Sequence, residues 1–140
     1  MKENFKSPKV GIIILSWNRK DEISACLDSV AALDYPNFQV YVVDNQSSDG
    51  SLDFLTLAES QGRLILLKNK ENLGYTGGNN FGMQAALRND CDYLWLLNNN
   101  VTVEPSSLSY MVDCAEASPI MGLLSPLKKS FQITLTPVAA

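Results

Sequence analysis

The fold of this chain is decided by residues 10–19, which read VGIIILSWNR. Residues 10–15 are a continuous, mostly β-branched apolar run, a pattern typical of a strand that is buried on both faces. Strands of that kind belong to parallel sheets that helices cover on both sides. Ser16, Trp17 and Asn18 follow the run directly, so we expect them at the carboxyl edge of such a sheet.

Short apolar runs alternate with helical patterns along the rest of the chain. Further strands are predicted over residues 38–43, 64–67, 93–97 and 120–124, and helices over residues 21–33, 51–60 and 79–89 and from Pro105 onward. In the third helix we expect Phe81, Ala85 and Arg88 to share one face. This order predicts an α/β fold with a mostly parallel, Rossmann-like sheet, right-handed crossovers and helices on both faces.

Composition excludes several classes of protein. The chain has 140 residues, one domain's worth of sequence, and a formal net charge of −4. A pI near 4.7 argues against nucleic-acid binding, which needs a basic surface. There is no histidine, so a Ser-His-Asp triad and a His-ligated metal are excluded.

Cysteine usage and hydropathy indicate the compartment. Cys26, Cys91 and Cys114 are far apart and odd in number, which favours reduced thiols over a zinc site or a disulfide framework. We expect Cys26 and Cys114 to be packing residues of helices. The N-terminus does not resemble a signal peptide, and no apolar run approaches the roughly 20 residues that span a bilayer. We therefore expect a cytoplasmic protein without a transmembrane segment, leaving open a peripheral place at a membrane.

Asparagine closes or directly follows four of the predicted strands, at Asn18, Asn45, Asn69 and Asn98. Open parallel sheets bind ligands at the carboxyl ends of their strands, and amides there can both donate and accept hydrogen bonds. The alternative is that asparagine is simply a common turn residue. Four such residues at equivalent positions favour a polar ligand.

Asp44 is a carboxylate at the mouth of the predicted sheet, where desolvation is costly unless the group is paired. It could accept a hydrogen bond from an imide N–H such as that of uracil or thymine. Alternatively, it caps the turn through Ser47 or Ser48. The residues alone leave these two roles open.

A glycine-rich segment covers residues 74–80, whose sequence is GYTGGNN. Glycines let backbone N–H groups approach an anion closely, and a helix N-terminus favours negative charge. The segment therefore predicts contact with a phosphate or diphosphate, although a plain turn would also explain it. The nucleotide motifs GxGxxG and GxxxxGK[ST] are absent, which disfavours an NAD-type fold and a P-loop.

Three neutral amides, Asn98, Asn99 and Asn100, follow the fourth predicted strand. Mg²⁺ and Mn²⁺ prefer carboxylate oxygens, so this run makes a poor divalent site. Asp90 and Asp92 precede the same strand and should lie at the opposite edge as solvated charges. Glu104 is expected to be a charge near a helix start rather than a ligand.

Aromatic residues divide between the edge and the interior. Trp17 and Tyr75 lie in predicted loops at the ligand edge, where either could stack on a base or cover the sheet end. Trp95 lies within a strand and is expected in the core.

Taken together, these segments resemble family 2 glycosyltransferases with the GT-A fold, in particular a rhamnosyltransferase-like branch. Four stretches carry the resemblance in the right order, at residues 13–19, 42–51, 72–82 and 96–100. It covers residues 9–127. It implies a nucleotide-sugar donor, usually UDP- or dTDP-linked, and transfer of the sugar to an acceptor.

The resemblance also implies roles for individual residues. Ser16, Trp17 and Asn18 would line the base and ribose pocket, and Asp44 would bond the base, with Asn45 and Ser47 beside it. The diphosphate and donor sugar would border Asn72, Gly74, Gly77, Gly78, Asn79 and Asn80. Asn98 and Asn99 would lead into the metal-ligand position of the family, which is Asn100 here, so dependence on Mg²⁺ or Mn²⁺ is in doubt.

Members of this family usually continue for another hundred residues or more, a part that carries the acceptor site and the catalytic base. We therefore expect residues 1–127 to form a truncated nucleotide-sugar-binding domain, with residues 128–140 an unassigned tail. The alternative is a non-catalytic nucleotide-binding or interaction module of the same fold. A sheet cut in this way leaves an apolar surface that a second copy of the chain could cover, giving a homodimer.

Overall fold

The computed structural model describes residues 7–118, 120, 122–124 and 134–137. Strands and helices alternate along them as the sequence predicts. They are β1 (Val10–Ser16), α1 (Lys20–Ala31), β2 (Phe38–Asp44), α2 (Ser51–Ser60), β3 (Ile65–Lys68), α3 (Gly74–Arg88), β4 (Tyr93–Asn98), α4 (Ser107–Glu116) and β5 (Thr134–Pro137). The predicted α/β class is confirmed.

The strands form one sheet in the order β3-β2-β1-β4-β5. β1 lies in the centre and pairs in parallel with both β2 and β4, and β2 pairs in parallel with β3. The register places Ser16 beside Asp44 on one side and Leu15 beside Asn98 on the other. The carboxyl ends of the four parallel strands therefore meet at one edge, as the sequence predicts.

Helices cover both faces of this sheet. The larger apolar cluster joins one face to α1, α2 and α4, with Ile12 and Trp95 fully buried within it. The smaller cluster lies under α3, where Ile13 and Tyr41 are fully buried. β1 is thus buried on both faces, and Trp95 is a core residue as predicted.

The fifth strand is not the predicted one. In the described part of residues 120–124, Ile120 lies in a turn with 97% of its surface exposed, and Leu124 forms only an isolated bridge. The strand next to β4 is instead β5, which runs antiparallel. The prediction failed because a short apolar run does not by itself distinguish a strand from an irregular segment that packs one side chain on the core.

Helix α3 begins five residues earlier than predicted, at Gly74 rather than Asn79. Its inward stripe consists of Gly78, Asn79, Gly82 and Ala86. The predicted stripe of Phe81, Ala85 and Arg88 is wrong, because Phe81 and Ala85 are only partly buried and Arg88 is exposed. The periodicity misled because the residues nearest the sheet are small rather than large.

The close approach of α3 to the sheet explains why the inward stripe of this helix consists of small residues. A β-carbon added at Gly82 would lie 2.7 Å from Ile13 Cγ2 and 2.9 Å from Val43 Cγ2. A β-carbon at Gly78 would lie 2.3 Å from Leu15 Cδ1. Because Ile13 and Val43 are β-branched and fully buried, they have little freedom to move aside. Glycine thus sets the distance between α3 and the sheet.

The cysteines differ in environment. Cys26 lies on the buried face of α1, and burial raises the pKa of its thiol to about 12, which fits the predicted packing role. Cys114 is exposed on α4, so the predicted packing role is wrong for it. No helix within the described residues is long and apolar enough to cross a membrane.

The replacement Gly82→Ala is expected to lower the free energy of unfolding by about 1–3 kcal/mol, because overpacking outweighs the helix propensity gained from alanine. Denaturant titration of the purified chain measures this. The matched control is Gly122→Ala, where an added β-carbon meets nothing within 4 Å. Equal stability of the two variants would contradict the close-packing explanation.

Candidate functional site

The sheet changes winding direction between β1 and β4. The chain steps from β1 to β2 and then β3 on one side, and returns to place β4 on the other side of β1. A crevice forms at such a point, outside the carboxyl ends of the strands, and ligands of open α/β sheets bind there. A cavity of about 300 Å³ occupies this position.

Residues from four elements and their loops surround the cavity. Those that line it are Leu15, Trp17, Arg19, Glu22, Tyr75, Asn79, Leu97, Asn98, Asn99 and Asn100. The cavity thus brings together five predicted site residues: Trp17, Asn79, Asn98, Asn99 and Asn100. Its volume lies at the lower end of the range for small-molecule sites, which is roughly 300–1,000 Å³.

Two aromatic side chains stand exposed at this cavity. Trp17 is 53% exposed and Tyr75 is 62% exposed, although both line the cavity wall. Tyr75 lies in the first turn of α3 rather than in the predicted loop. Large exposed aromatics beside neutral amides suit a flat, polar ligand such as a nucleobase.

Asp44 and Ser16 form a second group at the neighbouring β1–β2 ends. Asp44 is 2% exposed, and its Oδ2 accepts a hydrogen bond from the Ser47 backbone N–H at 3.1 Å. Asp44 Oδ1 and Ser16 Oγ are buried without a hydrogen-bond partner among the described residues. The turn-capping role is therefore present, and one carboxylate oxygen remains for another donor.

Asn18 joins the loops after β1 and β2. Its backbone N–H donates to Ser47 Oγ at 3.0 Å, and its Oδ1 accepts from the Ser48 N–H at 2.7 Å. Both loops contain non-glycine residues with positive φ, which are Asn18 at 51° and Gln46 at 65°. These two hydrogen bonds hold the loops together over the strand ends.

Asp49 anchors the loop after β2 to α1 and α2. The Ser51 hydroxyl donates to its carboxylate and holds the pKa of Asp49 below its usual value. The carboxylate also accepts from the Ser51 and Lys20 backbone N–H groups, at 3.0 and 3.2 Å. An ionised Asp49 thus satisfies donors at the beginnings of two helices.

The side chain of Asn45, which directly follows β2, anchors the start of α3. It is 1% exposed, and its Nδ2 donates to Asn72 Oδ1 at 3.0 Å and to the Gly74 carbonyl at 3.1 Å. Its Oδ1 accepts from Asn69 Nδ2 at 2.7 Å. Asn72 Oδ1 also accepts from the Gly74 N–H at 2.8 Å. In this structure the side chain of Asn45 therefore positions the loop into α3.

The glycine-rich segment is the first part of α3 rather than a loop. Of its glycines, Gly74 has a positive φ of 69°, which marks the helix entrance. A β-carbon at Gly77 would lie 2.8 Å from Leu73 Cβ, and Gly78 faces Leu15, so packing accounts for both. Asn79 is 5% exposed, and its Nδ2 donates to the Tyr75 carbonyl, whereas Asn80 is exposed and does not line the cavity.

The residues at the predicted metal position do not fit a carboxylate-ligated divalent cation. No cluster of three or more His, Cys, Asp or Glu side chains occurs in the part of the chain that the structure describes. Glu22 is the one carboxylate among the described residues that line the cavity, and it forms an ion pair with Arg19. Asn98, Asn99 and Asn100 offer neutral amide oxygens, which Mg²⁺ and Mn²⁺ bind less well than carboxylates.

Arg19 and Glu22 are the two charged cavity residues that the sequence did not predict. Arg19 follows Asn18 immediately beyond the carboxyl end of β1. This position is the sequence feature from which its place at the cavity could have been predicted. Glu22 lies in the first turn of α1, where an acidic residue is expected for helix stability alone. Asp90, Asp92 and Glu104 do not line the cavity, as predicted.

A mostly parallel α/β sheet with a cavity at its switch point has the arrangement in which open α/β sheets bind their ligands. The sequence model of glycosyl transferase family 2 matches residues 11–131. The chain belongs to glycosyl transferase family 2.

Two sequence relatives show how much of a longer protein this chain covers. It is 34% identical over 94 residues to the UDP-Glc:alpha-D-GlcNAc-diphosphoundecaprenol beta-1,3-glucosyltransferase WfgD of Escherichia coli, covering 64% of this chain and 37% of WfgD. It is 22% identical over 116 residues to the poly-beta-1,6-N-acetyl-D-glucosamine synthase of Staphylococcus aureus, covering 83% of this chain and 27% of the synthase. The matched part of the chain spans 37% of the length of one relative and 27% of the other.

Solved structures share the fold. The mannosyltransferase PcManGT of Pyrobaculum calidifontis, in complex with GDP-Man and Mn²⁺, matches with a TM-score of 0.80 and 20% identity, over 95% of this chain and 45% of that one. TarS of S. aureus, residues 1–349 in complex with UDP-GlcNAc, matches with a TM-score of 0.69 and 20% identity, over 78% of this chain and 31% of that one. The GT-A, Rossmann-like fold is therefore confirmed.

The replacement Asn45→Ala is expected to lower the free energy of unfolding by about 1–3 kcal/mol, because it removes the three hydrogen bonds that the buried Asn45 side chain makes with Asn69, Asn72 and the Gly74 carbonyl. Thermal or denaturant unfolding measures this. Asn80→Ala makes the same change at an exposed position of α3 and should leave stability unchanged or raise it by up to about 0.7 kcal/mol. Equal losses in both variants would argue against the anchoring role of Asn45.

Proposed function

We propose that this chain binds the nucleotide part of a UDP- or dTDP-linked sugar donor at the carboxyl edge of its sheet, as the donor-binding part of a glycosyltransferase. The observation that carries the proposal is the cavity between β1 and β4, with two exposed aromatics and four asparagine residues, in a chain of this family. The relative WfgD is a UDP-Glc-dependent glucosyltransferase by name, and the structures similar in fold are complexes with UDP-GlcNAc and GDP-Man.

Different parts of the site suit different parts of such a donor. Trp17 or Tyr75 offers a face on which a base can stack, since both are exposed at the cavity. Asn79, Asn98 and Asn99 offer amide donors and acceptors to hydroxyl and phosphate oxygens. Ser16, Asn18 and Ser47 lie around Asp44 on the adjoining strand ends and extend the polar edge toward β2.

Asp44 is proposed to accept the imide N–H of the base. Its Oδ1 is buried and lacks a partner among the described residues, and a carboxylate oxygen in that state is costly unless a donor reaches it. The hydrogen bonds of Asn18 to Ser47 and Ser48 hold the loops beside Asp44 in place.

We propose binding without sugar transfer for this chain alone. Inverting transfer needs a general base that removes the proton of the acceptor hydroxyl. Among the described residues, the carboxylate that lines the cavity is that of Glu22, which is ion-paired with Arg19 at 2.7 Å.

A non-catalytic nucleotide-binding module of the same fold is the second candidate function, and the ion pairing of Glu22 favours it. The rhamnosyltransferase-like branch, a cytoplasmic location and a homodimer stay predictions.

Calorimetric titration is expected to show binding of UDP or dTDP, with no release of free UDP when UDP-glucose or UDP-GlcNAc is incubated with the chain. Circular dichroism of the same sample establishes that it is folded. Failure of both nucleotides to bind a folded chain would overturn the proposed function. Release of UDP from a donor would contradict the absence of transfer and leave donor binding intact.

A base-specific test addresses Asp44. Asp44→Asn should weaken UDP binding about tenfold or more, since a hydrogen bond to a charged group is lost. Cytosine carries an acceptor where uracil carries the imide N–H, so CDP binding should not fall in this variant. An equal loss for UDP and CDP would show that Asp44 supports the loops rather than reads the base.

A further inference from the structure

The cavity has an unusual distribution of charge for a site that would take a diphosphate. Among the described residues that line it, Arg19 is the one cationic side chain and Glu22 the one anionic side chain. The other lining residues are apolar, aromatic or amide-bearing. A bound diphosphate would therefore meet at most one positively charged side chain, that of Arg19.

The backbone of Arg19 is fixed, whereas its side chain is exposed. Its carbonyl accepts the Ile23 N–H at 3.0 Å and so begins α1. The preceding residue, Asn18, is held by its contacts to Ser47 and Ser48. The backbone of Arg19 is therefore held at the cavity wall, whereas its long, exposed side chain can change direction.

The present partner of Arg19 is a weak competitor. Arg19 Nη1 lies 2.7 Å from Glu22 Oε1, but the two side chains are 61% and 39% exposed. Exposed ion pairs contribute little to stability because water and salt screen them. A phosphate group offers the guanidinium a doubly hydrogen-bonded partner of higher charge, so exchange of Glu22 for a phosphate is favourable.

We propose that Arg19 binds the diphosphate of the nucleotide ligand and that this chain needs no divalent cation to hold it, an inference that rests on the proposed donor binding. The amides of Asn98, Asn99 and Asn100 fit this arrangement. They donate hydrogen bonds to phosphate oxygens but provide no anionic ligand for a metal. Glu22 is the partner that the phosphate replaces at the guanidinium.

The test compares UDP with uridine, which lacks the phosphates, by calorimetry at about 0.15 M salt in the presence of EDTA, where exposed charges are screened beyond about 8 Å. Arg19→Ala should weaken UDP binding about tenfold or more and change uridine binding less than about twofold. Arg19→Lys should recover part of the loss. Lys20→Ala is the matched control, because it removes the same charge one residue away and Lys20 does not line this cavity.

Two further arms address the metal and Glu22. Addition of Mn²⁺ to the wild-type chain should change UDP affinity less than about twofold, and Glu22→Gln should leave it unchanged or raise it, since the guanidinium loses its competitor. A tenfold gain with Mn²⁺, or a tenfold loss in Glu22→Gln, would overturn the proposal in favour of a cation held at Glu22.

The outcomes separate this inference from the proposed function. If wild-type chain binds neither uridine nor UDP, donor binding itself is wrong, and the role of Arg19 falls with it. If wild-type chain binds UDP and Arg19→Ala binds it equally well, donor binding stands and the role of Arg19 is wrong. Equal losses in Arg19→Ala and Lys20→Ala would also overturn it, because they would indicate only the general charge of the α1 N-terminal region.

Discussion

The close approach of helix α3 to strands β1 and β2 is the constraint on which the rest of this structure depends. Gly78 and Gly82 let the helix lie where any β-carbon would meet Leu15, Ile13 or Val43. The helix axis and its first turn are set by that contact. Tyr75 and Asn79, which lie on the same part of the helix, consequently reach the crevice beside β1 and β4. Packing on one face of the sheet thus shapes the polar edge.

A second layer of interactions makes that edge rigid. Asn45 connects β2 to the segment before α3, and Asn18 connects the loop after β1 to the loop after β2. Asp49 then connects this loop to α1 and α2. The partners of Asn18, Asn45 and Asp49 are backbone, hydroxyl and amide groups of the protein itself, so the loops after β1, β2 and β3 are held in place without a ligand. The neutral amides of residues 98–100 leave the charge of the site to Arg19 and Glu22.

The sequence predicted the sheet and its polar edge well because both depend on local patterns. The apolar run of β1, the alternation of strands with helices and the position of Asp44 at the end of β2 follow from periodicity and from the rule that parallel strands end together. The start of α3 and the fifth strand could not be predicted in this way. Glycine has low helix propensity, so the start of this helix depends on its close packing against Leu15, Ile13 and Val43. A short apolar segment such as residues 120–124 does not specify whether it forms a strand or which strand it pairs with.

By itself the sequence determined the α/β class, the order of the elements and the family, because these depend on residue type and spacing. Tertiary structure decided which of the polar residues share a cavity. Asn98, Asn79 and Trp17 come together there, whereas the side chain of Asn45 makes its hydrogen bonds beneath α3. Arg19 joins the cavity through its place between β1 and α1. The physical reason is that the direction of a side chain at a strand end depends on the loop that follows, and that loop is set by contacts with residues distant in sequence.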